Sequence, residues 1–134
     1  DRIWYEGNVS SSDHYNWTRY YALNLHSVFY RGTVEWRCFN STLNPNLATA
    51  YVNLCLAMSA QAIAQRSTIM RKTRSDNELF TFRVWLVRLG LNGDEFKHTR
   101  DHLLANLEGD RAWRYDKDSY EVNRKKKKQR EAER

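Results

Sequence analysis

Apolar and polar positions alternate in two early stretches of the chain. In Arg19–Leu25, "RYYALNL", Tyr21, Leu23 and Leu25 share one parity and Tyr20, Ala22 and Asn24 the other. In Gly32–Asn40, "GTVEWRCFN", Val34, Trp36 and Cys38 alternate with Thr33, Glu35 and Arg37. A period of two predicts strands with one apolar and one polar face. The connection "HSVFYR" runs into Gly32, which tolerates the positive φ of a tight reversal, so an antiparallel hairpin is expected.

The period then becomes helical. In "STLNPN", Asn44 is a natural N-cap and Pro45 a natural first helical residue, predicting a helix from Pro45 to about Gln65. Leu47, Ala50, Tyr51, Leu54, Met58 and Ala62 trace one stripe of it, and no charged residue occurs between Arg37 and Arg66. Asn46, Asn53, Ser59 and Gln61 interrupt it too often for a membrane span, so burial between a sheet and another layer is expected. Ser75 stands three residues before Glu78, predicting a capping box and a helix through about Leu89 with Leu79, Phe82, Leu86 and Leu89 on one side. Gly90 stops it, Asp94 is expected to cap a third helix carrying Phe96, Leu103 and Leu107, and Gly109 to end that one. Asp1–Thr18, aromatic and polar, reads as a loop or a strand leading into the hairpin.

At 134 residues, 41% apolar and with five Trp, the chain has the size and composition of one globular domain. It does not begin with Met, as expected of a piece of something longer. The net charge of +6 brings nucleic acid into view as a partner, but Arg124–Arg134 holds seven of the 22 Lys and Arg against two of the 16 acids. The other 123 residues carry 15 basic and 14 acidic side chains, so the body is nearly neutral. Like-charge runs usually stay solvated, and residues 115–134 are expected to be a disordered basic tail beside a folded domain of residues 1–114. The two cysteines, Cys38 and Cys55, lack metal-binding spacing and are expected to be buried reduced thiols. Without a secretory h-region, a cytoplasmic protein is expected.

Glu35 and Arg37, two apart, share one face of the second strand about 6–7 Å apart. Mg²⁺ takes oxygen ligands and completes its shell with waters and substrate phosphates, which suits Glu35. A guanidinium on the same face can fork onto phosphate or carboxylate, which suits Arg37. An exposed ion pair explains the same two residues more simply. His26 follows Asn24 on its parity and is a marginal candidate for the same face. His98 and His102 lie four apart but have no third ligand, so no chemistry is assigned to them.

The run "RYYALNLHSVFYRGTVEWRCFNSTLNPN", then a neutral helix, then "RLGLNGDEF" and "HLLANLEGDRAWR", resembles the C-terminal half of the amidoligase family. That family belongs to the glutamine-synthetase-like carboxylate–amine ligases, and the likeness spans roughly Arg19–Arg114. The resemblance implies an α+β fold: the antiparallel hairpin as part of a curved catalytic sheet, followed by three packed helices and the basic tail. It implies ATP and Mg²⁺ or Mn²⁺ as cofactors, and carboxylate and amine substrates joined through an acyl phosphate. Residue by residue, it implies Glu35 as metal ligand, Arg37 on the γ-phosphate or acyl phosphate, Arg19 near nucleotide phosphate, and Asn24 and Asn40 near substrate. Asn40 reads equally well as a side chain fixing the turn beside Thr42. The family's other carboxylates come from an N-terminal half, so a missing half or a partner chain is expected to complete the site. The alternatives are a non-catalytic remnant or interaction domain of the same fold, or a polyanion-binding module in which the tail contacts nucleic acid.

Overall fold

The structure is a computed structural model that describes residues 15–69, 71–115 and 117–132. The expectation for Asp1–Thr18 falls largely outside them. The chain divides into two compact units, Asp1–Thr42 and Leu43–Arg134.

In the first unit Asn16 stops the anticipated strand before it begins. Its side-chain oxygen accepts from the Thr18 amide at 2.9 Å and caps a 3-10 turn over Trp17–Tyr20, with Thr18 fully buried. The strands are consequently short. β1, Leu23–Asn24, pairs antiparallel with β2, Glu35–Trp36, in the register Leu23 opposite Trp36 and Asn24 opposite Glu35. One more bond, from Arg37 N to Ala22 O at 2.7 Å, extends the pairing. The connection winds into a helical turn, α1, Ser27–Arg31, which ends at Gly32 with φ 65°, the positive value expected there. Past Trp36 the chain leaves the sheet and Cys38 is exposed; Cys55, on the long helix, is half-buried, so neither is the buried thiol expected.

In the second unit α2, Pro45–Ala64, starts as its cap residues dictate: Asn44 accepts from the Asn46 and Leu47 amides at 2.9 and 3.3 Å, and Pro45 sits at the first position. It packs on α4, Lys97–Leu104, with Ala50 and Leu54 buried and Asn53 donating to the buried Thr99 hydroxyl at 2.9 Å. The sandwiched helix anticipated from its lack of charge is not what forms. Val52, Leu56 and Ile63 are 56%, 64% and 87% exposed. By length and hydropathy α2 could also cross a membrane, its polar residues notwithstanding, a test that core helices of soluble proteins also pass.

α3, Glu78–Arg88, also packs on α4, and Leu79, Leu86, Leu91 and Leu104 are its buried side chains and neighbours. Asn77, not Ser75, is its N-cap, accepting from Phe80 N at 2.9 Å. The Ser75 hydroxyl instead takes the Asn77 amide at 3.2 Å and lies 2.6 Å from the Thr81 hydroxyl. α4 starts after Phe96 and stops at Leu104, short of Gly109. The charged segment expected to be disordered is helical as α5, Lys117–Ala132. Trp113 meets Tyr120 in its first turn with ring centroids 5.3 Å apart, Asp118 favours the helix N-terminus, and Glu121 stands four residues before Lys125.

On α4, Asp101 accepts from Lys97 Nζ at 3.1 Å and Arg111 Nη1 at 3.2 Å. The Lys97 hydrogen bond, with help from both positive charges, holds its carboxyl below the usual carboxylate range against a partial desolvation. A lowered folded-state pKa stabilises above the unfolded value and loses that contribution as pH falls through the folded one. Asp101→Asn should therefore lower stability at neutral pH by a modest amount, about 0.2–1 kcal/mol for an exposed network, read as a small fall in the melting midpoint. The gap to the unchanged chain should close below about pH 4 and shrink in high salt; a gap independent of pH would refute the assignment.

Candidate functional site

The hairpin and α1 enclose an open cavity of about 700 Å³ in the first unit, within the ~300–1,000 Å³ range of small-molecule sites. Arg19 reaches it from the 3-10 turn, Asn24 from β1, His26, Ser27 and Arg31 from α1 and the residue before it, and Glu35 from β2. Each position follows from local chemistry. The Asn16 cap turns Arg19 off the strand, the register sets Asn24 opposite Glu35, and one helical turn carries Arg31 back to the cavity wall.

Asn24 is 4% exposed, and its amide ties three segments together. Nδ2 donates to Glu35 Oε2 at 2.7 Å and to Ser27 Oγ at 2.9 Å, while Oδ1 accepts from His26 N at 3.0 Å. Glu35 thus has one carboxylate oxygen engaged by Asn24, and its side chain remains 51% exposed. Arg19 lies with its guanidinium carbon 5.3 Å from the Tyr15 ring centroid and 5.6 Å from that of Tyr20, where cation–π attraction and stacking steady it.

Arg37 lies off the cavity wall. Its Nη1 donates to the Arg19 carbonyl at 2.9 Å, its guanidinium lies 5.5 Å from the Tyr20 ring centroid, and its nearest approach to Glu35 is 3.9 Å. It does not line the cavity; it braces the turn that carries Arg19. Asn40 is exposed and also lies off the cavity wall. The structure therefore brings Arg19, Asn24 and Glu35 together, adds Arg31 and the buried His26, and leaves Arg37 and Asn40 outside. The signal for Arg31 was its place just before Gly32, where a turn must fold back on the hairpin. His102 uses its Nδ1 toward the His98 carbonyl, 2.9 Å away.

Two guanidiniums face one carboxylate, so the cavity favours anionic groups. As a metal site it is thin: among the described residues no cluster of three or more His, Cys, Asp or Glu could hold a metal ion. A free divalent cation would lack ligands here. A cation arriving on nucleotide phosphates needs few protein oxygens, and Glu35 has one not engaged by Asn24.

Residues 1–59 match the family model described as "Putative amidoligase enzyme". The matched segment holds every cavity residue named above and ends within α2, while the later "RLGLNGDEF" and "HLLANLEGDRAWR" runs lie beyond it. Over that segment, which is less than half of the chain, it is similar to the amidoligases, a ligase family by its description. No curated protein and no solved structure gives a significant match.

Proposed function

We propose that the first unit carries one wall of the active site of an ATP-dependent carboxylate–amine ligase that works through an acyl phosphate. The observation that supports it is the pair Arg19 and Arg31 beside an Asn24-held Glu35, in a cavity formed by the segment that matches the family. In such a reaction a substrate carboxylate oxygen attacks the γ-phosphorus of ATP and ADP leaves. The amine then attacks the acyl carbon, phosphate departs with the C–O bond pair, and the amine proton passes to solvent.

Charge runs through these steps on the phosphate oxygens, and fixed positive charge aimed at them is the main protein contribution. Arg31 and Arg19 supply it, forking onto nonbridging oxygens and cancelling repulsion between the substrate carboxylate and the nucleotide. Magnesium bound with the nucleotide would lower the charge further, and Glu35 is the residue that would meet it through one oxygen. Arg37 keeps Arg19 in place from behind, through the carbonyl and the shared Tyr20 ring.

The test is release of ADP and orthophosphate by the protein as expressed from its gene, with magnesium and panels of carboxylates and amines. Release should need both co-substrates and fall about 10²-fold or more in Glu35→Ala. Turnover indifferent to Glu35→Ala sinks the ligase site. Equal binding of magnesium–ATP by both forms, with no turnover in either, leaves the non-catalytic remnant as the better account.

A further inference from the structure

We infer that Asn24 is a positioning residue: it aims Glu35 and contributes no group of its own to the substrate. The inference rests on the reading of Glu35 as the residue that meets a nucleotide-borne cation. An asparagine amide has two N–H groups, and both are spent, one on Glu35 Oε2 and one on Ser27 Oγ. Its orientation is not arbitrary. The backbone N–H of His26 requires an acceptor and finds Oδ1 at 3.0 Å, which leaves Nδ2 toward the carboxylate and the hydroxyl.

The Asn24 bond to Glu35 is the short one around that carboxylate. It measures 2.7 Å, is charge-assisted and comes from a buried donor, whereas Arg37 approaches to 3.9 Å from a side chain 31% exposed. The two residues are also direct cross-strand partners. Through Ser27 the same amide reaches the first residue of α1, the helical turn that ends with Arg31. One buried amide thus sets the carboxylate and connects it to the segment bearing the second guanidinium. Partners that orient a metal-binding carboxylate typically change metal affinity by about 10–100-fold when removed.

The experiment compares thermal midpoints and affinity for magnesium bound to a non-hydrolysable ATP analogue. Asn24→Asp keeps the acceptor for His26 N but turns a carboxylate toward Glu35. It should lower the midpoint and weaken the magnesium–nucleotide complex about 10-fold or more. Combining Asn24→Asp with Glu35→Gln restores a donor and an acceptor with their roles exchanged. That pair should regain the midpoint and not the affinity. Asn24→Ala combined with Glu35→Ala should bind no more weakly than Glu35→Ala alone, because Asn24 acts through Glu35.

Losses that add in the combined Ala variant would mean that Asn24 touches the ligand itself and would overturn the inference. Failure of the exchanged pair to regain any midpoint would overturn it independently, by showing that the two side chains are not partners. Glu35→Ala binding the complex as tightly as the unchanged chain is a separate result. It refutes the cation-facing role of Glu35, and the aiming role with it, while the midpoints still decide whether the pairing exists.

Discussion

Gly109→Ala is expected to destabilise the second unit by about 2–4 kcal/mol, a fall in midpoint of about 10 °C or more. Two costs combine. Gly109 has φ 130°, a conformation L side chains rarely adopt, and forcing one there costs about 1–3 kcal/mol. A Cβ would also clash with Asn77 Oδ1 and lie 3.1 Å from its Cγ. That side chain has nowhere to go. Oδ1 caps α3 through Phe80 N at 2.9 Å, and Nδ2 donates to the carbonyls of Asp110 at 3.1 Å and Trp113 at 2.7 Å. Displacing it forfeits an N-cap worth about 0.5–2 kcal/mol and loosens the chain leading into α5. Asn77→Ala, which removes the side chain and leaves the backbone unstrained, should cost less. A Gly109→Ala variant as stable as the unchanged chain would refute the argument.

Arg19→Ala combined with Arg31→Ala should weaken binding of ATP by about 10²-fold, the range for removing close charge partners of an anion. Glu35 would then face the phosphates without compensation, so the loss should be largest without magnesium and should diminish as salt screens the repulsion. Arg31→Ala alone is the cleaner arm, since Arg31 is exposed, whereas Arg19 also stacks on two tyrosines. Arg31→Lys should recover part of the affinity, keeping the charge and losing the fork. Isothermal titration that finds the double variant binding ATP like the unchanged chain would remove the anion-facing role from this cavity.

Reading the chain locally worked where the deciding chemistry is local. Asn44 and Pro45 start α2 because the cap bonds reach only two and three residues ahead. Gly32 closes α1 for the same reason. It failed where two residues could do one job. Ser75 and Asn77 both have cap chemistry, and the choice falls to Asn77 because an amide can cap α3 and also reach the carbonyls of Asp110 and Trp113 more than thirty residues on, which a hydroxyl cannot.

The site was legible to the same depth. Parity within each strand did not say that Asn24 would stand opposite Glu35, because the register between strands sets that, and parity stops where the strand does. Arg37 keeps the side that parity gave it, 3.9 Å from Glu35 Oε2, but its Nη1 donates to the Arg19 carbonyl, a contact that parity cannot show. Arg31 was missed because "HSVFYR" has no period of its own. Its helical turn starts where the Asn24 side chain bonds His26 N and Ser27 Oγ, a contact no periodicity records.

A ladder of two residues per strand has little to pin its alignment. A slip by one position would put Leu23 opposite Glu35 and turn Asn24 away from it. The buried amide therefore acts as a key as well as a brace, because the side-chain bond is made only in the correct register. Alignment of the hairpin and aim of the carboxylate therefore depend on the same Asn24–Glu35 bond, so a substitution at either residue is expected to disturb both.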